Sequence, residues 1–400
     1  MTRTAQQAPA AFSRALERAL AGDALSLDEA RALMSASADA LPALCEAAAS
    51  LNLQARSHRR VTYSRKVFLP LTNLCRDRCG YCTFVRGPRQ AGAHTMSPDE
   101  VLDVARRGAA LGCKEALISL GDHPELRHPE HQDTLSAWGY GSTVEYTAAM
   151  AQLVLEETGL VPHTNCGTLS DAEMALLTPW NASMGIMLEG VSPRLFAKGG
   201  AHQDTFTKRP EQRVATLEVA ARARMAMTTG ILIGIGESPE ERADALMLIA
   251  DVHQRTGVVQ EVIVQNFRAK RSTRMSGAPE PDTGEVVRTL AAARLILGPQ
   301  MNIQAPPNLN EDFGAYLSTG INDWGGISPL TMDFINPEAA WPAVDRLRAV
   351  TAEAGFTLRE RTALYPGFIG AGWAGDTPAG RRVRELAGED GFVREELEAW

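Results

Sequence analysis

Three of the six cysteines fall within eight residues, as Cys75-Arg-Asp-Arg-Cys79-Gly-Tyr-Cys82. Spacings of four and three let three thiolates wrap one metal centre. A structural zinc ion wants four ligands, and His94 is the nearby side chain that could complete such a set. A cubane iron–sulfur cluster also takes four cysteines as a rule. Three thiolates would leave one iron with an open position, and an open position is where a second molecule can be activated. Cys45, Cys113 and Cys166 are scattered and read as small buried hydrophobes. Six cysteines in 400 residues are too few for a disulfide scaffold.

The cysteines follow Lys66-Val-Phe-Leu-Pro-Leu-Thr72, a short apolar run that reads as a buried strand. The same grammar then repeats along the chain. Ser97-Pro-Asp-Glu100, Ser142-Thr-Val-Glu145, Ser170-Asp-Ala-Glu173 and Ser238-Pro-Glu-Glu241 have the form of capping boxes, in which serine and glutamate satisfy open donors at a helix start. Between them lie strand-like runs at 116–120, 161–165, 184–188, 228–235 and 261–266, with a helix near 211–226. Runs at 301–305 and 323–327 are weaker candidates for a seventh and eighth strand. Strands alternating with helices imply parallel β-α units. The expected fold is therefore α/β, a (β/α)8 TIM-type barrel, complete or partial, with a doubly wound open sheet as the alternative. Either architecture collects ligands at the carboxyl ends of its strands.

Residues 1–60 are rich in Ala and Leu, carry the box Ser26-Leu-Asp-Glu29, and read as an N-terminal helical layer. The barrel is expected over 61–370, and 371–400 as an exposed helical tail rich in Arg and Glu. Charged residues make up 22% and hydrophobic ones 44%, which excludes a largely disordered chain. A net charge of −8 gives no general basic field for nucleic acid. Apolar runs such as Gly230–Gly236 fall far short of the ~18 residues a membrane helix needs. The N-terminus has no unbroken apolar core of the secretory kind, so the expected location is the cytoplasm.

The pattern C-x-x-x-C-x-aromatic-C after a first strand resembles the radical S-adenosylmethionine (SAM) superfamily. The segments SRKVFLPLTNLCRDRCGYCTF, MGIMLEG, TTGILIGIGES, EVIVQNFRAK, IQAPPNL and NDWGGISPLT are similar, from about Val61 to Phe368, to one family within it. That family is the 7,8-didemethyl-8-hydroxy-5-deazariboflavin synthases, comprising the CofG subunits and the N-terminal half of fused FbiC enzymes. The resemblance implies one 4Fe-4S cluster on Cys75, Cys79 and Cys82, with SAM as co-substrate on the open iron. It implies Tyr81 facing the adenine, and Gly121-Asp122 in place of a Gly-Gly-Glu segment that meets the methionine amino group. Gly230-Ile-Leu-Ile-Gly234-Ile-Gly-Glu237 resembles the family's glycine-rich strand beside the adenine. Glu189 and Arg213 fall where relatives use a carboxylate for the ribose or amino group and an arginine for the methionine carboxylate; a structural ion pair is the competing reading.

The implied reaction takes 5-amino-5-(4-hydroxybenzyl)-6-(D-ribitylimino)-5,6-dihydrouracil, supplied by a CofH-type radical SAM transferase. It closes the ring with loss of ammonia to give the deazaflavin precursor of coenzyme factor 420, while SAM is cleaved to methionine and 5′-deoxyadenosine. A low-potential electron donor of the flavodoxin or ferredoxin type is the other implied partner. Polar residues at the remaining strand ends are candidates for the substrate: Asn165, Gln265, Asn266, Arg268, Asn308 and Asp323, with Asn310 and Ser328 beside them. Loop capping is the competing reading for each. His163 reads as a core histidine. A transferase of the CofH type, a menaquinone-pathway relative and a zinc-stabilised binding protein are the alternative functions.

Overall fold

A computed structural model describes residues 7–56 and 58–398. Eight parallel strands close into a barrel: β1 (Arg60–Thr72), β2 (Glu115–Leu120), β3 (Val161–Asn165), β4 (Ser183–Gly185), β5 (Ala226–Ile233), β6 (Val259–Asn266), β7 (Asn302–Gln304) and β8 (Asp323–Ile327). β1 closes the ring. Its upper half, Lys66–Thr72, pairs with β2, and its lower half, Thr62–Arg65, pairs with β8. The sheet is thus the complete (β/α)8 barrel, and the open-sheet alternative falls away.

A ninth strand, β9 (Thr357–Glu360), was not expected from the sequence. It pairs parallel with the first residues of β1. This explains why β1 begins at Arg60 rather than Lys66: the lower half has partners on two sides. The capping boxes at Ser26, Ser97, Ser170 and Ser238 all form. At Ser142 only half of the box is present. The serine accepts from Glu145 N, but the glutamate reaches back to Gly141 N instead. A further helix, Pro129–Ala137, follows β2.

The N-terminal layer is three helices, Gln7–Ala21, Leu27–Met34 and Leu41–Ala55. Leu33, Met34, Leu44 and Leu51 are buried in the main core. Arg31 clamps Asp244 of the Pro239–Thr256 helix with two bonds of 2.7 and 2.8 Å. The tail is not simply an exposed helix. It forms a helix over Pro378–Leu386 whose Ala379, Val383 and Leu386 are buried. Val383 and Leu386 join Val161 of β3 and Ala226 of β5 in a separate apolar cluster. Residues 1–6 and 399–400 of the two expected terminal segments lie outside the described residues.

The barrel interior is polar where most such barrels are aliphatic. Lys66 of β1 pairs with Glu115 of β2 at 2.5 Å, and Ser64 donates to the same carboxylate. Arg361, just past β9, binds Asp323 through two bonds of 2.6 and 3.0 Å and reaches Glu261 of β6 at 3.2 Å. Tyr365 lies under that guanidinium at 4.1 Å and donates to Glu261 at 2.8 Å. Every buried carboxylate in this floor therefore has a cation or hydroxyl against it, which burial of a charge requires.

Candidate active site

The loop after β1 carries the three cysteines across the C-terminal mouth of the barrel. It is pinned from both sides by backbone bonds. Gly80 N donates to Ala201 O at 2.6 Å, Arg76 N to Asp122 O at 3.0 Å, and Arg86 N to Asn73 O at 2.8 Å. Cys75 Sγ accepts from Asp122 N at 3.2 Å and from Asp77 N at 3.4 Å. All three cysteines line one cavity of ≈ 330 Å³, together with Tyr81, Gly121, Asp122, Asn165, Glu189 and Arg213, and with Gln265, Asn266 and Arg268. Burial pushes the Cys75 thiol up to about 12, and raises Cys79 further. Thiolates there need a positive centre beside them.

The donor set fits an iron–sulfur cluster. His94, the candidate fourth zinc ligand, is half exposed and pairs with Glu100 at 3.1 Å. Among the described residues no three His, Cys, Asp or Glu side chains converge on a single ion. With His94 turned to Glu100, the three thiols on the cavity lack that fourth ligand for a tetrahedral ion, whereas a cubane can keep one iron open.

Gly121 is imposed by packing. A Cβ there would lie 1.8 Å from Leu74 O and 2.5 Å from Cys75 Cβ. The Asp122 carboxylate is fully engaged by its own protein. It accepts from Arg76 Nε (2.7 Å), Thr168 N (2.8 Å) and Thr168 Oγ1 (3.2 Å), with His123 Nδ1 at 2.9 Å. Burial alone would raise its pKa; His123, Arg76 and Thr168 instead bring it down to about 2. The side chain expected to meet an amino group thus holds the Cys75 loop in place.

Glu189 sits just past β4 with φ +64°, a conformation uncommon for a residue with a side chain. Its backbone bridges to β5, donating to Gly230 O at 2.9 Å and accepting from Leu232 N at 3.0 Å. Its carboxylate accepts from Lys208 Nζ at 2.5 Å and from the Tyr81 hydroxyl, with His202 Nε2 at 3.0 Å. Burial works against the charge, but Lys208, His202 and Arg213 hold its pKa well below the usual carboxylate range. Lys208 and His202 were not candidates from the sequence. They come from the irregular loop between β4 and the Pro210–Arg222 helix, where no period or motif marks them. Arg213 is 4% exposed and its Nε has no hydrogen-bond partner. A buried guanidinium with an idle donor on a cavity wall is a seat for an anionic group.

The remaining candidates divide. Asn165 caps β3 and meets His163 Nε2 at 3.2 Å. Gln265 and Asn266 end β6, and Arg268 follows, paired with Glu280 at 3.1 Å. Gly234 does not line the cavity. Its φ is +89° and a Cβ would lie 2.4 Å from Pro281, so its glycine serves the turn after β5. Asn308 lies off the cavity, donating to Asp333 and Ala339 O. Asn310 binds Tyr316, and Ser328 shapes its own loop through Thr331. Asp323 is a correction. As the first residue of β8 it lies at the end of the strand away from the mouth, wholly buried against Arg361 in the floor and off the cysteine-lined cavity. His163 is in the interior, bonded to Ser183 at 2.7 Å.

A closed parallel barrel with a three-thiol loop at the end of its first strand defines a radical SAM protein, and the radical SAM superfamily profile matches residues 69–249. The chain belongs to the 7,8-didemethyl-8-hydroxy-5-deazariboflavin synthase family: it is 46% identical over 335 residues to the synthase of that name from Methanopyrus kandleri, covering all of that protein and 84% of this one. It is also 50% identical over 379 residues to an FO synthase from Nocardia farcinica, matching 92% of this chain and 44% of that one. The chain thus spans about half the length of the FO synthases it matches. Two solved structures share the fold. They are the hydrogenase maturase HydG from Carboxydothermus hydrogenoformans (TM-score 0.73, 18% identity, 95% of this chain and 91% of that) and methylornithine synthase (TM-score 0.66, 16% identity, 86% and 97%).

Proposed function

We propose that the chain catalyses the ring-closing half of deazaflavin synthesis. It would take 5-amino-5-(4-hydroxybenzyl)-6-(D-ribitylimino)-5,6-dihydrouracil to 7,8-didemethyl-8-hydroxy-5-deazariboflavin with loss of ammonia. One observation carries the reading: the three thiols and the side-chain amides of Gln265 and Asn266 line a single cavity. When bound, one 4Fe-4S cluster and SAM supply a one-electron cleavage that yields a 5′-deoxyadenosyl radical and methionine.

The chain's own residues do the rest. Cys75, Cys79 and Cys82 hold the cluster. Arg213, with its idle Nε, takes the methionine carboxylate, and Glu189 with Tyr81 borders the nucleoside. Asn266 is 5% exposed and its amide makes no hydrogen bond within the described protein, so it is free to orient the substrate. A CofH-type transferase supplies the substrate, a flavodoxin or ferredoxin supplies the electron, and the cytoplasm is the expected compartment. Among the described residues no helix is long and apolar enough to cross a membrane.

The test is an anaerobic reaction of the reconstituted protein with the transferase's purified product, SAM and a low-potential reductant, following deazaflavin fluorescence. Fluorescent product and 5′-deoxyadenosine should appear together. Conversion of tyrosine and the diaminouracil to the hydroxybenzyl adduct, with no deazaflavin formed, would assign the chain to the transferase instead.

A further inference from the structure

Beneath the cysteine-lined cavity the barrel holds a second hollow of ≈ 150 Å³. The two share Asn165, Thr228, Ile263, Gln265, Ile335 and Asn336. The lower hollow's polar groups differ sharply in how they are satisfied. At the floor, Glu115 is taken up by Lys66 and Ser64, and Glu261 by Arg361, Thr228 and Tyr365. Elsewhere on its wall some are also engaged, His163 with Ser183 and Asp333 with Asn308 and Asn336, but a further set is idle. Gln304 of β7 is 9% exposed, yet no described residue bonds its side-chain amide. Gln265 is equally unpartnered, and the Trp341 indole Nε1 is enclosed with no acceptor. Lys66 spends one of its three donors, on Glu115.

The backbone has been cleared for these groups. Gly325 has φ +79°, and a Cβ there would lie 2.1 Å from Gln304 Nε2. A Cβ on Gly326 would lie 2.3 Å from Lys66 Cε. Two adjacent glycines of β8 thus give the amide and the ammonium their room. Buried polar groups are normally paired, so idle ones around a hollow describe the ligand that pairs them. The idle groups here are neutral amides and an indole N–H, and the lysine ammonium is already matched by Glu115. That pattern fits a chain of hydroxyls and gives no seat to a phosphate or carboxylate. Phe68 and Trp341, stacked at 5.3 Å, close the apolar side of the hollow, against which the carbons of such a chain can lie.

We propose that this hollow is a polyol subsite that takes the ribityl chain of the substrate, with Gln304, Gln265 and Trp341 as its hydrogen-bonding residues. The ring system then stays above, in the cysteine-lined cavity. The assignment rests on the deazaflavin reading and adds the substrate's orientation to it.

The experiment uses the reconstituted holoenzyme and two fluorescent probes: the ribityl-bearing deazaflavin product, and the same ring system with a methyl group in place of the ribityl chain. Wild-type protein should bind the ribityl probe at least about tenfold more tightly. Gln304→Leu removes an amide that no protein group depends on. It should weaken the ribityl probe about tenfold and leave the methyl probe unchanged. Trp341→Phe keeps an aromatic ring, removes the N–H, and should weaken the ribityl probe a few-fold. Equal affinity of wild type for both probes, or a loss shared equally by both in the two variants, would overturn the subsite. Deazaflavin formation is measured on the same wild-type preparation. Formation without ribityl preference sinks the subsite alone; absence of formation from the transferase's product sinks the function and the subsite with it.

Discussion

Gly121→Ala is the sharpest probe of how the cluster loop is held. The added Cβ would sit 1.8 Å from Leu74 O and 2.5 Å from Cys75 Cβ, where real contacts stay beyond 3.0 Å. The two segments must therefore part by about 1.2 Å, and the crowding atom is backbone, with no side chain to swing away. Overpacking of this kind costs about 1–3 kcal/mol in a well-packed region. The larger effect is geometric. The same displacement strains the bonds from Gly121 N to Thr72 O (3.2 Å), from Arg76 N to Asp122 O (3.0 Å) and from Asp122 N to Cys75 Sγ (3.2 Å). Misplacing a reacting group by about an ångström can cost on the order of a hundredfold in rate. The assay is iron and sulfide per chain on anaerobically purified protein, with the rate of SAM cleavage and the thermal midpoint. The variant should fold at a lower midpoint, hold substoichiometric iron and cleave SAM on the order of a hundredfold more slowly. Gly108→Ala is the control: its Cβ would lie 2.9 Å from Val67 side-chain atoms, away from the cysteines, so it should lower the midpoint and keep its iron. Full iron with wild-type cleavage in Gly121→Ala would refute the argument that this glycine sets the position of Cys75.

Four further outcomes are expected. Arg213→Ala should weaken SAM binding by about tenfold to a hundredfold, the worth of a charge-assisted bond, in a titration read by cluster spectroscopy; an unchanged dissociation constant removes Arg213 from the site. Asn266→Ala should raise the ratio of 5′-deoxyadenosine to deazaflavin, because cleavage continues while the substrate is poorly aimed; an unaltered ratio with both rates lowered would place Asn266 on the SAM side. Burial holds the Glu360 carboxyl at about 7, against a usual 4.5, in spite of Lys114 and Arg65. The folded state keeps this proton where the unfolded chain has lost it, so about 3 kcal/mol of stability should drain away as pH rises from about 4.5 to about 7. Denaturant unfolding of wild type against Glu360→Gln reads this, and identical pH slopes would contradict it. Burial, helped by Lys66 and Arg361, brings His163 down to about 4. The unfolded chain then gains a proton near 6.5 that the fold refuses, so on the order of 3 kcal/mol should be lost as pH falls from about 6.5 to about 4, and His163→Gln should flatten that limb of the stability curve.

The capped helices and the cysteine triad were plain in the sequence because their signals are local, whereas the helices Thr283–Leu297 and Val344–Glu353, which lack a serine box, were not read. A capping box spans four residues, and the cysteine triad spans eight. β3 and β8 match their expected spans, since short apolar runs between capped helices leave little freedom of register. The lower half of β1 was hidden because Arg60–Ser64 alternates polar with apolar side chains, and the interior that Ser64 meets is charged, which no neighbouring residue announces. β9 has four residues and no period to detect. Asp323 was a poor substrate candidate on the sequence's own terms: it opens the run 323–327, and a parallel strand presents its other end to the mouth. Lys208 and His202 meet Glu189 only through the fold of an irregular loop, and Arg361 meets Asp323 and Glu261 across 38 and 100 residues of chain.

That last distance bears on how the molecule is made. Glu261 and Asp323 belong to strands six and eight, yet the cation that pairs with both comes after strand nine, on a segment anchored by Arg361 N to Tyr63 O at 2.8 Å. On the ribosome, all eight staves of the barrel and all three clustered cysteines leave the tunnel before the residue that pairs the two acids of the bore. Removing one partner from a buried ion pair typically costs about 3–5 kcal/mol. Until Arg361 arrives, the nascent barrel must therefore stay ajar, hydrated, or with those two acids protonated. The loop with its three cysteines therefore sits over a barrel that settles only after Arg361, nearly 280 residues beyond Cys82, has joined it.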